Sequence, residues 1–292
     1  MKILKSFHPY AAAAILFWSL AYVLTRLALR HFSAFSLGFL RYAVASSALL
    51  AVCVVKKVPL PKKQDIPWFI ASGVTGFFLY MVTFNIGTGY VSAATSSVVI
   101  ACVPVITALL ARAFLKEKLK MRQWTAIAVE LAGVVLLTVY GAVFSANTGV
   151  WWLLLAALLV SCYNLLQKKL TCTYTAFQST AYSIFCGTVL LAVFSPGAAA
   201  ELSIAPAAAI VYVLLMGIFS SAVAYVAWSK ALEMAAQTSM VSNYMFFTPF
   251  ITGVLGFVLA GESPDASTWV GGAFIILGAF LFNRGAAPAE RV

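Results

Sequence analysis

The chain consists of long apolar stretches separated by short connections that hold most of the charged residues. Each stretch has close to the ~20 residues that an α-helix needs to cross the hydrocarbon core of a bilayer. The pattern therefore predicts an all-α membrane protein with ten transmembrane helices. The predicted stretches, numbered 1 to 10 in chain order, are 9–29, 34–55, 67–89, 92–114, 124–144, 150–168, 175–195, 207–230, 237–260 and 267–283.

The composition excludes a soluble protein. Of the 292 residues, 63% are hydrophobic and 9% are charged, and the mean hydropathy is +0.99. A soluble domain averages about 25% charged residues, so this chain lacks the polar surface that a protein in water needs. No connection is long or polar enough to form a separate soluble domain.

The basic residues, which give a net charge of +11, indicate an orientation. With a cytoplasmic N-terminus, most of the 19 Lys and Arg residues lie at the inner ends of the stretches, as the positive-inside rule requires. We therefore expect a plasma-membrane protein with both termini in the cytoplasm. Anionic lipid headgroups are the natural partner of this charge, so it requires no nucleic-acid binding.

No feature of the sequence points to an enzyme, a cofactor or a metal. The five cysteines and two histidines show no metal-ligand spacing. An intramembrane enzyme would need an HExxH motif, paired carboxylates or a nucleophile with a base, and none is found. No ATP-binding GxxxxGK[ST] loop occurs either, so any transport would be driven by a gradient. A channel filter would need a ring of equivalent groups from several subunits.

The two halves of the chain resemble each other. Shifted by 145 positions, residues of the first half fall on identical residues of the second: Tyr80 on Tyr225, Pro104 on Pro249, Glu117 on Glu262, Trp124 on Trp269 and Gly133 on Gly278. The repeat divides the chain into halves at 1–146 and 147–292, each with five stretches. Because five is odd, we expect the second half to be inverted. Inverted repeats are common in secondary transporters, which bind the solute near the membrane midplane.

These repeated residues resemble the EamA-type branch of the drug/metabolite transporter superfamily. That family has Pro in its fourth helix, Glu at the end of that helix, Trp opening the fifth and Gly within it. Trp18-Ser19 is similar to the family's Trp-Gly-Ser opening without its Gly, and Leu40-Arg41-Tyr42 is similar to its Leu-Arg-Phe. The resemblance implies a central cavity lined chiefly by helices 1, 3, 4, 6, 8 and 9. It also implies transport of amino acids, sugar derivatives, vitamins or other metabolites, often outward.

Polar and aromatic residues inside these stretches are the candidate substrate site. Their helical spacing places several of them on one face of a stretch. Aromatic walls with a few amide groups suit a neutral, zwitterionic or partly apolar solute. The same residue types also serve as interfacial belts and helix contacts, and that alternative stays open. The candidates are Trp18, Tyr22, Tyr80, Phe84, Asn164, Gln167, Tyr225, Trp228, Asn243 and Phe247.

Two pairs of residues at equivalent positions of the halves are candidates for gating. Arg26 and Lys168 are equivalent at a shift of 142, so inversion would place one near each mouth of the pathway. Each could guard a gate, although reaching out to lipid headgroups is the favoured interpretation. Pro104 and Pro249 each remove one backbone hydrogen bond and could bend their helices during gating.

Two further charged residues lie within the stretches, and each has two candidate roles. Glu130 could couple transport to protons, but packing against a neighbouring helix is favoured, because the repeat places Ile275 at its equivalent position. Arg41 could tie helices together through carbonyl groups or contribute to the pathway, and the sequence does not decide between these roles.

The sequence therefore predicts a secondary transporter that exports an amino acid or a related metabolite by alternating access. Import of a small nutrient is the alternative. A multidrug exporter is less favoured, because such a protein is expected to carry a carboxylate in a cavity-facing helix and stretches 1 and 6 have none. The expected partners are a small-molecule substrate and the lipid bilayer, and the protein is expected to be a monomer or a homodimer.

Overall fold

The computed structural model describes residues 6–91, 93–140 and 148–260, together with residues 270, 273, 274, 277, 278, 281 and 282. Helices dominate these ranges, and most of their bounds lie within a few residues of the predicted stretches. The seventh helix is the exception, because it continues through a 3-10 segment at Ala192–Phe194 to Ile204, beyond the predicted end at residue 195. The helices are α1 (His8–Ala28), α2 (Ala34–Val55), α3 (Lys63–Tyr90), α4 (two helices, Ala93–Ile100 and Val103–Phe114), α5 (Met121–Tyr140), α6 (Thr148–Leu170), α7 (Ala176–Ile204), α8 (Ala207–Met234) and α9 (segments Thr238–Ser242, Asn243–Phe247 and Thr248–Ala260).

Seven of the described helices are long and apolar enough to cross a membrane, namely α1, α2, α3, α6, α7, α8 and α9. The second helix of α4, Val103–Phe114, is apolar but shorter. The chain is thus a multi-pass, helical membrane protein. The count of ten spans and the inversion of the halves stay predictions, and Glu262 and Trp269 lie outside the described residues.

Local sequence explains where several helices begin. Pro9 lies in the first turn of α1, where its missing N–H is not needed. The Ser33 hydroxyl accepts a hydrogen bond from the Ser36 N–H and caps α2. Thr175 and Gln178 form a reciprocal capping box at the start of α7. These side chains satisfy backbone groups that would otherwise be unpaired at the ends of buried helices.

Two matched pairs of helices depart from regular α geometry. α3 contains a π-helical segment at Val74–Leu79, and α8 contains one at Met216–Val223. α4 is interrupted at residues 101–102, and α9 passes through a 3-10 segment at Asn243–Phe247. The members of each pair are separated by about the spacing of the sequence repeat. The matched departures therefore give the two halves the same pattern of irregular backbone.

The two prolines predicted to bend their helices lie just after these interruptions. Pro104 is the second residue of the helix Val103–Phe114, and Pro249 is the second residue of Thr248–Ala260. Proline is tolerated in a first helical turn, because its missing N–H would have no partner there. Each proline therefore opens a new helical segment instead of kinking a continuous one. Their role in gating stays a prediction.

α6 packs closely against α3. A Cβ atom added to Gly76 would lie 2.2 Å from Cδ2 of Tyr163, and one added to Gly87 would lie 2.6 Å from Cγ of Leu153. Only glycine allows the two helices to approach this closely at these points. The contact places the cavity-facing side of α3 beside α6, which brings together residues from both halves of the chain.

Candidate functional site

A small cavity lies where α1, α2, α3, α6, α8 and α9 meet. Its volume is about 20 Å³, which is room for a single water molecule. A metabolite would therefore require the cavity to widen. The described residues that line it are Trp18, Ala21, Tyr22, Arg41, Tyr80, Phe84, Val160, Tyr225, Met245 and Thr248.

The lining helices differ from those that the family resemblance implied. α2 contributes Arg41, although the second helix is not among those that the resemblance implied as the chief lining. No described side chain of α4 lines it, although the fourth helix was expected to do so. The close approach of α2 to α8 explains the first difference, because a Cβ atom on Gly217 would lie 2.6 Å from Cβ of Val44 and 2.9 Å from the Arg41 carbonyl oxygen.

Five of the ten predicted substrate residues line the cavity and form an aromatic wall. The ring centroids of Trp18 and Tyr225 are 4.9 Å apart, and those of Tyr22 and Phe84 are 5.3 Å apart in an edge-to-face arrangement. The Tyr80 ring lies 5.6 Å from that of Phe84. Such pairs stabilise each other beyond simple burial and hold their rings in fixed orientations. Substrate binding by these five residues stays a prediction.

Arg41 lines the cavity and also ties helices together through hydrogen bonds to α8, while its contribution to the pathway stays a prediction. Its Nε donates to the Ser221 hydroxyl at 2.6 Å, and its Nη2 donates to the Ser220 carbonyl at 3.4 Å. The same carbonyl accepts a hydrogen bond from Trp18 Nε1 at 3.0 Å. The π-helical segment of α8 leaves this carbonyl accessible to side chains, and α1, α2 and α8 are joined there.

Trp228 and Asn164 lie beside the aromatic wall and outside the lining. Trp228 Nε1 donates to the Asn164 side-chain oxygen at 2.8 Å, and Asn164 Nδ2 donates to the Thr107 hydroxyl at 3.4 Å. Trp228 is fully buried, and its ring centroid lies 4.9 Å from that of Trp18. Both residues therefore support Trp18 and connect α8, α6 and α4.

Gln167 was predicted to meet the substrate, but in this structure it lies at the centre of a separate buried network. Its Nε2 donates to the hydroxyls of Ser72 at 2.9 Å and Ser183 at 3.0 Å. Its Oε1 accepts from the Ser229 hydroxyl at 3.1 Å, and Ser229 in turn accepts from Thr180 at 2.7 Å. The network joins α3, α6, α7 and α8, and contact of Gln167 with a substrate stays a prediction.

Asn243 and Phe247 also lie outside the cavity lining. Asn243 Nδ2 donates to Oε1 of Glu130 at 3.1 Å, and both residues are buried. The Phe247 ring lies 6.0 Å from that of Tyr244. The Glu130 contact joins α5 to the 3-10 segment of α9. Glu130 thus packs against a neighbouring helix, as favoured from the sequence, and proton coupling at this site stays untested.

Arg26 and Lys168 cap the ends of helices in equivalent ways. Arg26 Nη1 lies 3.4 Å from the carbonyl oxygen of Thr88 and 3.3 Å from that of Gly89, at the end of α3. Lys168 Nζ donates to the carbonyls of Leu232, at 2.8 Å, and Ala235, at the end of α8. A cation at a helix C-terminus interacts favourably with the unpaired carbonyls and the helix dipole.

Three of the remaining lining residues carried no signal in the sequence. Ala21, Val160 and Met245 are ordinary residues of apolar helices, and hydropathy alone does not separate them from lipid-facing neighbours. Thr248 directly precedes Pro249, and this position beside a helix interruption was a usable signal. Among the described residues, no group of three His, Cys, Asp or Glu side chains could hold a metal.

A larger recess of about 740 Å³ opens on the surface between α1, α2, α7 and α8. Its walls are almost entirely apolar, with the Lys230–Glu233 ion pair, 2.6 Å long, at one end. In a membrane such a surface faces acyl chains. A solute site needs convergent polar groups to orient its ligand, so the small central cavity is the better candidate.

Comparison with known proteins adds to this geometry. The model of the EamA-like transporter family matches residues 6–139 and again residues 147–284. A Streptantibioticus cattleyicolor protein named "Probable terminal-alkyne amino-acid exporter" is 32% identical over 267 residues, which is 91% of this chain and 90% of that protein. A Rickettsia bellii protein named "S-adenosylmethionine uptake transporter" is 26% identical, over 85% of this chain and 82% of that protein.

The fold also resembles a solved structure. A crystal structure that is 18% identical in sequence matches with a TM-score of 0.75, covering 98% of this chain and 99% of that chain. At this identity the likeness concerns the fold alone. The two family matches lie almost entirely within the predicted halves 1–146 and 147–292.

Proposed function

Because this chain belongs to the EamA-like transporter family, and is therefore a membrane transporter and not an enzyme, we propose that it exports an amino acid or a related small metabolite by alternating access. The observation that carries this proposal is the closed cavity between helices of both halves. Its aromatic wall and single guanidinium suit a zwitterionic solute with an apolar side chain. The 32% identical relative named as an amino-acid exporter supports the same substrate class.

The matched features of the halves support the alternating-access mechanism. α3 and α8 carry equivalent π-helical segments, and α4 and α9 are interrupted at equivalent places. Arg26 and Lys168 make equivalent caps at the ends of α3 and α8. Two inverted five-helix halves could exchange conformations at similar energy, so the cavity would open to one side and then to the other.

Import is the second candidate for the direction of transport. The relative named as an S-adenosylmethionine uptake transporter is the observation that favours it. Export of multiple drugs finds less support, because none of the described lining residues carries a carboxylate that would attract a cationic drug.

Growth on toxic amino-acid analogues tests substrate class and direction together. Bacterial cells that express the protein are grown with L-propargylglycine or another toxic amino-acid analogue, beside cells that carry an empty vector. Export predicts resistance, and import predicts sensitisation. A Trp18→Ala variant expressed at the same level is the matched control, because it removes one ring from the aromatic wall of the cavity. Growth identical to the empty vector for every analogue would contradict amino-acid transport.

The remaining parts of the proposal concern the cellular setting. We place the protein in the plasma membrane, with both termini in the cytoplasm and anionic headgroups around its basic inner surface. It works without a cofactor, as a monomer or a homodimer.

A further inference from the structure

Arg41 is the starting point, because of the described residues that line the cavity it alone carries a charge. Its side chain is nearly inaccessible, with the residue 3% exposed. No carboxylate within the described ranges forms an ion pair with it. A buried charge normally has a partner of opposite sign, because removing it from water is costly.

The hydrogen bonds of Arg41 satisfy only part of its guanidinium. Nε and Nη2 donate to the hydroxyl of Ser221 and the carbonyl of Ser220, both neutral acceptors on α8. Nη1 donates no hydrogen bond to any residue that the structure describes. The guanidinium is thus anchored on one side and retains donor capacity toward the cavity. This arrangement fixes the position of the charge, which has the Tyr42 ring 5.8 Å away but no carboxylate within the described ranges to balance it.

We propose that Arg41 binds a carboxylate group of the transported solute and thereby selects acids over their neutral analogues. The planar guanidinium presents paired donors that match the two oxygens of a carboxylate. The tyrosine and tryptophan rings of the wall would then enclose the rest of the solute. A single cation in an otherwise neutral, aromatic cavity fits one carboxylate better than a phosphate group with its higher charge.

A purely structural Arg41 is the competing interpretation. In that case the guanidinium only joins α2 to α8, and the solute is recognised by the aromatic wall alone. An amino acid and its amide, which has nearly the same shape but no negative charge, would then bind equally well. The two interpretations differ in one measurable quantity, the ratio of the affinities for the acid and for its amide.

The experiment uses purified full-length protein in detergent and a fixed set of probes. The probes are the proteinogenic L-amino acids, L-propargylglycine, the amides of all of these, and simple monocarboxylates with their amides. Ligands that bind the folded protein raise its melting temperature, and calorimetry then measures the affinity of each hit. We expect acids to stabilise the wild-type protein and to bind roughly tenfold or more tightly than their amides.

Variants test whether Arg41 is the source of this preference. We expect Arg41→Gln to lose the preference for acids while still binding the amides, and Arg41→Lys to keep part of it. Arg30→Gln is the matched control, since it removes an exposed arginine in the connection after α1 that does not line the cavity. It should keep the preference. If Arg41→Gln does not fold, the comparison of acid and amide on the wild-type protein still tests the preference for acids, and its absence contradicts the proposed role of Arg41.

The outcomes separate this inference from the proposed function. Of the inference, only the assignment of the carboxylate to an amino acid rests on the proposed function. Equal binding of an amino acid and its amide overturns the role of Arg41 and leaves amino-acid transport standing. Binding of other carboxylates but no amino acid, lost in Arg41→Gln, supports Arg41 and overturns the amino-acid substrate. If no carboxylate probe stabilises the protein, the inference fails as well.

Discussion

The side-chain amide of Asn243 donates to the carboxyl group of Glu130 at 3.1 Å, which joins the 3-10 segment of α9 to α5 within the buried part of the protein. Gly278 makes room for this contact, because a Cβ atom there would lie 2.2 Å from Cγ of Glu130. Met245 and Thr248 on the same stretch of α9 line the cavity. The contact therefore fixes the backbone that presents these two residues.

We expect Glu130→Gln to retain both the fold and the pH dependence of transport. The glutamine carbonyl can accept from Asn243 Nδ2, and its N–H can donate to Asn243 Oδ1, which has no partner among the described residues. Glu130→Ala removes the acceptor and leaves a buried amide unpaired, which should cost about 1–3 kcal/mol of stability. Melting temperatures and uptake measured over a range of pH check both expectations.

The pH profile of the glutamine variant discriminates between packing and proton coupling. A glutamine cannot bind and release a proton in the way that a carboxyl group does. If Glu130→Gln folds normally but its transport no longer depends on pH, Glu130 is a coupling site and the packing interpretation is wrong. Asn243→Ala serves as a second variant, which disrupts the same contact from the other helix.

Gln167 provides a contrasting prediction, because it supports the fold without lining the cavity. Gln167→Ala should lower the free energy of unfolding by about 1–3 kcal/mol, since it leaves the hydroxyls of Ser72, Ser183 and Ser229 without their shared partner. Its substrate preference should match that of the wild-type protein. Thermal denaturation measures the first effect, and competition between solutes in an uptake assay measures the second.

Tyr80→Phe is the matched control for Gln167→Ala. It removes a hydroxyl group from the cavity wall and should change solute preference more than stability. A Gln167→Ala protein that melts normally but has altered solute preference would show that Gln167 meets the substrate after all.

Hydropathy and charge predicted the helices well but predicted only part of the cavity. The bounds of α2, at Ala34–Val55, coincide with those of the predicted stretch, because charged residues and a serine cap delimit it. Which side chains of a helix line the cavity is harder to predict. Asn164 and Tyr22 both lie in apolar helices and differ only in the side chains that neighbouring helices place beside them. Asn164 donates to and accepts from neighbouring side chains such as Trp228, whereas Tyr22 packs on Phe84 and lines the cavity.

Arg41 shows what the sequence alone could not decide. A buried arginine in an apolar helix indicates a partner, but not whether that partner is a backbone group or a solute. The choice depends on the π-helical segment of α8, which places the Ser220 carbonyl and the Ser221 hydroxyl beside it. Backbone irregularities of this kind follow from the packing of whole helices, and local residue patterns do not encode them clearly.

Variants of Arg26 and Lys168 distinguish two roles for these cations, capping of a helix end and attraction of an acidic solute. If they cap α3 and α8, the conservative changes Arg26→Lys and Lys168→Arg should be tolerated, and alanine at either position should cost roughly 0.3–1 kcal/mol. Transport of acids and of neutral solutes should then fall in parallel. A selective loss of acid transport in the alanine variants, at unchanged melting temperature, would instead assign the two cations to guarding the pathway.

The orientation of the two halves can be tested at the ends of the chain. Two inverted five-helix halves give an even number of crossings, so both termini must lie on the same side of the membrane, and the positive-inside rule places them in the cytoplasm. We expect a fluorescent protein fused to either end to fold and fluoresce, and an alkaline phosphatase fused to either end to be inactive. A phosphatase fused after Arg30, in the connection between α1 and α2, should be active and serves as the control. Termini on opposite sides would rule out the inversion and, with it, the exchange of conformations between equivalent halves.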